Sequence, residues 1–271
     1  MKHSTVRRGW ALRNWLFPEG CVLCGRALRG AAEALQGLCG ACKENLSLFP
    51  EPRCSRCGQP LISERTSCLP CRNGPPRFFN RALSLFPYEG KYQKLLGAYK
   101  FGGRRSLGNF FVSLLWQGLE ILGSREALFL PDPPEPGGVK KSPGETAWVP
   151  VPPRPGKIKK TGWDQVEYLA KLLQTRPPAP GAPAPARFRN GTPVIPVCRC
   201  LDRLPSQAQK ELDREGRRTN LQGRIVVKSP PPKRAVLFDD VYTTGSTLDA
   251  CARALISGGA EAVYGICLFY D

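Results

Sequence analysis

The sequence predicts an α/β fold: a mostly parallel sheet with helices on both faces, preceded by a small metal-stapled domain. Three observations carry that prediction. Residues 234–251, R-A-V-L-F-D-D-V-Y-T-T-G-S-T-L-D-A-C, read as a buried strand, a polar loop and a helix start. Further upstream, short apolar runs of strand character alternate with segments of helical period, as in sheets built from crossover units. Eight of the 12 cysteines fall into four C-x-x-C pairs between residues 21 and 71, ahead of that alternation.

At 271 residues the chain is long enough for one or two domains, each with a core. We place the boundary near residue 74, with a cysteine-rich domain at 10–74 and an α/β domain at 75–271. Lys and Arg number 40 against 22 Asp and Glu, a formal charge of +18. Such a balance favours polyanions or phosphate-rich small molecules, although a solvated basic surface has the same composition. His3 is the single histidine, which argues against His-based triads and His-rich metal centres. The first 20 residues hold Arg7, Arg8 and Arg13 among short apolar pieces, which does not resemble a secretory signal. No run approaches the roughly 18 apolar residues of a membrane span. The expectation is a cytoplasmic protein with reduced thiols, where C-x-x-C pairs bind metal more often than they form disulfides.

In chain order, residues 9–20 put Trp10, Leu12, Trp15, Leu16 and Phe17 on one helical face, suited to packing on a neighbouring domain or to a partner or membrane surface. The four pairs follow: Cys21 with Cys24, Cys39 with Cys42, Cys54 with Cys57, and Cys68 with Cys71. They are separated by 14, 11 and 10 residues and supply eight thiolates, enough for two tetrahedral four-cysteine zinc sites. Gly25 and Gly58 each follow a pair, as in a zinc knuckle. With sulfur at every position no place is left for water, so these sites are structural. Sequential pairing of the C-x-x-C units is the expectation, with interleaved pairing also open.

Residues 81–88 alternate like a strand, and 92–101 place Tyr92, Leu95, Leu96 and Tyr99 at helical spacing. The turn K-F-G-G-R-R then leads into a helix over 107–122. Lys100 and Arg104 in that turn either reach a phosphate or complement the preceding helix terminus. Residues 131–147 and 176–193 are Pro-rich insertions without periodicity and read as loops. Between them lie a short strand at 148–151, a loop carrying Arg154, Lys157, Lys159 and Lys160, and a helix over 163–173. A basic loop between strand end and helix start suits an anion such as pyrophosphate. Residues 194–197 read as a strand. The polar stretch 200–224 reads either as a flap closing over an anion with Arg203, Gln209, Arg217, Arg218 and Asn220, or as a solvated surface helix. Cys198, Cys200, Cys251 and Cys267 lack metal spacing as a set and read as core or incidental thiols.

The segment 235–238 is a strand buried on both faces. Asp239 and Asp240 stand at its carboxyl end, where open parallel sheets bind ligands. Thr243, Thr244, Gly245, Ser246 and Thr247 follow, rich in hydroxyls and led into a helix over 248–257. The free N–H groups and positive dipole of that helix start suit a phosphate. The two acids suit the hydroxyls of an adjoining sugar or the oxygen coordination of Mg²⁺. A final strand is expected over 262–269.

D-D-V-Y-T-T-G-S-T after an apolar strand resembles the phosphoribosyl-pyrophosphate (PRPP) loop of type I phosphoribosyltransferases. The order of motifs along the chain widens the resemblance: four C-x-x-C pairs, Y-E-G at 88–90, K-F-G-G-R at 100–104, V-P-V-P-P at 149–153, G-W-D-Q at 162–165, L-D-R at 201–203, S-Q-A-Q-K at 206–210 and R-R-T-N-L at 217–221. This order is similar to that of the ComF competence family, a double zinc ribbon fused to a type I phosphoribosyltransferase-like domain. The resemblance implies two structural Zn²⁺, and PRPP held with Mg²⁺. It implies that Asp239 and Asp240 contact the ribose and that Thr243–Thr247 cradle the 5′-phosphate. It also implies a role in DNA uptake or single-stranded DNA handling beside a ComF-type helicase; transfer of ribose 5-phosphate to a nitrogenous base is the alternative. Thr161 stands where the family's R-G-F-N-Q motif begins with Arg, and Lys159 or Lys160 is the available substitute. Thr243 is no base near neutral pH; purine-type relatives carry an acid there, whereas orotate-type relatives also carry Thr.

Overall fold

A computed structural model of the protein describes residues 19–48, 51–61, 65–123, 146–175, 188–189, 192–193, 195–205 and 223–271. The apolar face at 10–17, the flap residues Gln209, Arg217, Arg218 and Asn220, and most of both Pro-rich insertions lie outside them. In chain order the elements are α1 (Gly30–Gln36), α2 (Gly40–Glu44), α3 (Leu69–Asn73), β1 (Arg81–Pro87), α4 (Gly90–Lys100), α5 (Leu107–Gly123), β2 (Thr146–Pro150), α6 (Lys157–Thr161), α7 (Gln165–Thr175), β3 (Phe188–Arg189), β4 (Thr192–Pro193), β5 (Leu201–Arg203), β6 (Ile225–Val227), β7 (Arg234–Tyr242), α8 (Ser246–Ser257) and β8 (Ala262–Tyr270).

Strands β1, β8, β7 and β2 form one sheet in that order, every pair parallel. β7 is central, and its alternating side chains divide the core in two. Val236 and Phe238 join the helices α4, α5 and α7 on one face. Ala235 and Leu237 join α8 and the β5–β6 ladder on the other. Both faces are covered, which is why residues 235–238 carry no polar side chain. Phe238 and Trp148 are wholly buried, meeting edge to face at 5.8 Å. Burial of a side chain such as Phe238 contributes about 1.5–3 kcal/mol.

The cysteine-rich segment is built twice on one plan. In the first unit Cys21 N–H donates to Arg26 O and Gly25 N–H to Cys21 O; in the second Cys54 N–H donates to Gln59 O and Gly58 N–H to Cys54 O. Each second C-x-x-C pair then starts a short helix: Cys39 precedes α2 and Cys68 precedes α3. The two units pack into different halves of the core. Cys21, Leu28, Leu38 and Cys39 join the α5 side, whereas Cys54, Cys57 and Cys68 join the α8 side. Asn109 Nδ2 on α5 donates to Leu35 O at 2.6 Å, and Lys94 Nζ on α4 to Leu23 O at 2.8 Å. The second unit runs along the outer edge of β1. Ala82 N–H donates to Arg56 O at 2.7 Å, and the buried Arg53 donates to Ser84 O at 2.8 Å. An edge that would otherwise offer free pairing groups is thereby covered.

At the opposite edge, Trp148 N–H donates to Pro196 O and Cys198 N–H to Trp148 O, both at 2.8 Å. The strand expected at 194–197 is therefore a single parallel bridge at Val197. Five further expectations are corrected. β7 runs on through Asp239 and Asp240 to Tyr242, because its pairing with β8 continues to Tyr270. β2 begins at Thr146, two residues inside the expected insertion. The basic loop contains a turn of helix, α6, and the second Pro-rich segment contains the antiparallel pair β3–β4. The expected flap is strand at its start: Leu201–Arg203 pairs antiparallel with Ile225–Val227, so the ends of 204–224 are fastened together. No helix among the described residues is long and apolar enough to cross a membrane.

Gly58 is the tightest point of the ribbon's seat on the sheet. Its φ is +71°, and a Cβ there would stand 2.6 Å from the Ala82 carbonyl oxygen. Left-handed strain and a backbone clash therefore combine. Gly58→Ala should lower stability by about 2 kcal/mol or more in chemical denaturation; an unchanged midpoint would show that the second unit is not seated on β1.

Candidate functional site

The acid pair sits where β7 leaves the sheet. Asp240 is buried at 6% exposure, and its carboxylate receives Lys100 Nζ at 2.9 Å and a hydrogen bond from Gln165 Nε2. Gln165 Oε1 in turn accepts from Lys157 Nζ, which also pairs with Asp164 at 2.5 Å. Asp164 is fixed because its other oxygen caps α7, accepting from the amides of Val166 and Glu167 at 2.9 Å each. Lys100 and Lys157, from two separate segments, thus converge on one carboxylate and amide centre.

Asp239 lies beside this centre, its Oδ1 accepting the Asp240 amide at 2.8 Å. Burial, and then the adjacent Asp240 carboxylate, push the Asp239 carboxyl up to about 8. The Arg203 guanidinium is held below its ordinary value by burial and by the facing charge of Arg154. Arg203 thus faces Arg154 as well as Asp239, and an anion would relieve the repulsion between the two guanidinium groups.

The loop after β7 turns sharply. Gly245 has φ +73°, and a Cβ there would lie 2.3 Å from the Tyr242 hydroxyl, so only glycine fits. Thr244 Oγ1 accepts the Ser246 amide at 3.3 Å and meets the Ser246 hydroxyl at 2.8 Å. Among the described residues, the amides of Thr243, Thr244 and Gly245 have no acceptor. They stand at the start of the 12-residue helix α8, where an anion is favoured.

The remaining predicted residues are distributed differently. Arg104 is engaged with the first cysteine unit, donating to Gly20 O and approaching Glu19 at 3.7 Å. Lys159 and Lys160 are exposed on α6. Thr161 Oγ1 donates to Lys157 O and Trp163 O at 2.9 and 2.8 Å, closing the turn of α6. Its hydroxyl is thus spent on the backbone. Sequence reasoning missed Gln165 as the bridge between the two basic segments; the G-W-D-Q motif marked the position without its role. It also missed Arg77, Phe78 and Asp249, which fasten the loop from outside and carry no pattern of their own. Cys200, Cys251 and Cys267 are buried core thiols as expected, with Cys198 half-buried.

Both cysteine clusters fit a tetrahedral thiophilic cation. The sulfurs of Cys21, Cys24, Cys39 and Cys42 lie within 4.8 Å of one another, as do those of Cys54, Cys57, Cys68 and Cys71. Cys24 to Cys39 is 3.7 Å and Cys57 to Cys68 is 3.6 Å. Zn–S bonds of about 2.3 Å in a tetrahedron put sulfurs about 3.8 Å apart. The pairing is sequential. In the second cluster the Cys68 amide points at Cys54 Sγ, 3.4 Å away. Side-chain hydrogen bonds from Cys57 and Cys71 hold the Cys54 thiol far below its ordinary range, so the cluster offers a thiolate to a metal.

The family model of the double zinc ribbon domain matches residues 12–72, a span that includes all eight of these cysteines. The N-terminal part of the chain is therefore a double zinc ribbon with two structural four-cysteine sites. No curated protein matches the chain.

Two outcomes follow from this geometry. Metal analysis should find about two zinc per chain, with Cys42→Ser and Cys71→Ser each removing one; a single shared loss would contradict two independent sites. Asp239, with its carboxyl raised, makes the folded state bind a proton that the unfolded chain has released. The stability it contributes is present at low pH and lost as pH rises from about 4 to about 8. Asp239→Asn should flatten the fall in melting temperature of the ligand-free protein over that window and raise stability at pH 9; a steeper fall would place the shift in the opposite direction.

Proposed function

We propose that the crevice at the carboxyl end of β7 binds PRPP with Mg²⁺, and that the protein is a ComF-like member of the phosphoribosyltransferase superfamily acting in DNA uptake or single-stranded DNA handling. The observation that carries this reading is that two groups suited to one ligand stand at one strand end. Asp239 and Asp240 close β7, and three unpartnered amides open the loop to α8 directly after them. The first pair suits ribose hydroxyls and a Mg²⁺ held through oxygen; the second suits the 5′-phosphate. Lys100 on Asp240, Lys157 on the adjoining Asp164 and Gln165, and Arg203 with Arg154 facing it suit the pyrophosphate.

Lys100 Nζ pairs with Asp240 at 2.9 Å. Ligand entry would transfer that lysine from carboxylate to phosphate, leaving Asp240 free for the sugar or metal. The raised Asp239 carboxyl must lose its proton to take a metal, so Mg²⁺-dependent binding should strengthen as pH rises through about 8. The reading stops at binding: Thr243 is exposed and supplies no base. Support for the nucleic-acid part is the formal +18 charge, the double ribbon and the motif order shared with the ComF family.

Calorimetric titration of PRPP with Mg²⁺ should show binding to the native chain, and a loss of affinity of about tenfold or more in Asp240→Asn and in Asp239→Asn. Heat of binding absent from the native protein at millimolar PRPP would overturn the assignment. Affinity for a single-stranded oligonucleotide should fall linearly with the logarithm of salt concentration; a flat response would remove the nucleic-acid role while leaving the PRPP site standing.

A further inference from the structure

We infer that the second zinc unit, through Arg77, Phe78 and Asp249, is a positioning element of the anion loop, and that the first unit is not. This rests on the reading of Thr243–Thr247 as a phosphate cradle. Five contacts join residues 77–80 to the β7–α8 region and to β8. Arg77 Nη2 donates to Thr244 O at 3.0 Å, and the Phe78 amide donates to Asp249 Oδ1 at 2.7 Å. Arg253 of α8 lies over the Phe78 ring at 4.2 Å. Asn80 is tied to β8 in both directions, its amide to Val263 O at 2.8 Å and its Oδ1 from the Val263 amide at 2.9 Å.

This clasp begins only a few residues after the last zinc ligand, Cys71, and the link is stiff because it contains Pro75 and Pro76. A second connection runs beneath the loop. Tyr242 is buried and stacked on Tyr270 at 5.6 Å, with its hydroxyl at the point where a Cβ of Gly245 would fall. Tyr242 belongs to the same buried cluster as Cys54, Cys57 and Cys68. The zinc unit, Tyr242 and Gly245 therefore form successive layers, and the Thr244 carbonyl is held by Arg77 while, among the described residues, the amides of Thr243, Thr244 and Gly245 have no acceptor. Turning the Thr244 carbonyl toward Arg77 directs the opposite side of that peptide segment to the ligand. Among the described residues, the first zinc unit makes its bonds to α4, α5 and the turn between them, all on the other face of the sheet.

Hydrogen exchange read by mass spectrometry on the zinc-loaded full chain tests the inference, with PRPP titration alongside. Arg77→Ala and Asp249→Ala should each speed exchange of amides 243–248 by about tenfold or more, keep two zinc, and weaken PRPP binding. Arg77→Lys, which keeps a donor for Thr244 O, should recover part of both. Lys94→Ala, which releases Leu23 O in the first unit, should leave loop exchange and PRPP affinity as in the native chain. Cys71→Ser should resemble Arg77→Ala in the loop, and Cys42→Ser should resemble Lys94→Ala. Loop exchange unchanged in both Arg77→Ala and Asp249→Ala overturns the inference, as does faster exchange with undiminished PRPP affinity. If the native chain binds no PRPP, the functional reading fails, and the exchange rates alone decide whether the clasp holds the loop.

Discussion

Two adjacent carboxylates at the end of a strand buried on both faces set the terms for the rest of this structure. Such a pair repels itself and loses water, and Asp239 responds by holding its proton up to about pH 8. Asp240 is compensated instead by Lys100 and Gln165. Those two are then anchored in turn: Lys100 by ending α4, and Gln165 by the Asp164 cap and Tyr99, whose hydroxyl donates to the Gln165 carbonyl at 2.8 Å. Helices α4 and α7 are thus aligned by the charge they neutralise as well as by their apolar faces. An arrangement that only stabilised the fold would do better with apolar residues at 239 and 240. Keeping acids there carries a cost that the proposed ligand site would account for.

The double ribbon solves a different problem. Its two units have few large apolar residues, and metal supplies the cohesion that a core cannot. Their placement is asymmetric. One unit extends the helical layer around α5, and the other covers the free edge of β1 and reaches the loop before α8. A single repeat therefore does two jobs, set by the surface it meets rather than by its own sequence.

Much of this was legible in the residues. The C-x-x-C spacing predicts two four-cysteine clusters and leaves both sequential and interleaved pairing open; the sulfurs group sequentially. Apolar runs and helical periods predict β1, β7, β8, α4, α5, α7 and α8 to within a few residues. What local pattern did not show is decided by tertiary partners. Acids disfavour strands, yet Asp239 and Asp240 are strand because β8 continues opposite them, Asp239 facing Cys267. Leu201–Arg203 looks like the start of a polar flap, and becomes strand only because Ile225–Val227, some twenty residues away, returns beside it. Arg104 shares its turn with Lys100, but one faces the acid pair and the other the ribbon. The clasp of Arg77 and Asp249 spans 171 residues between Phe78 and Asp249 and leaves no periodic trace.

On the proposed reading, the acid pair and the hydroxyl-rich loop form one site for one phosphorylated ribose. A crystal structure of the zinc-loaded chain soaked with PRPP and Mg²⁺ tests it most directly. The account predicts the 5′-phosphate on the amides of Thr243, Thr244 and Gly245, the ribose hydroxyls at Asp239 and Asp240, and Lys100 drawn away from Asp240 toward the pyrophosphate. Ligand density elsewhere on the molecule, with the Lys100–Asp240 pair intact and the loop empty, would contradict it.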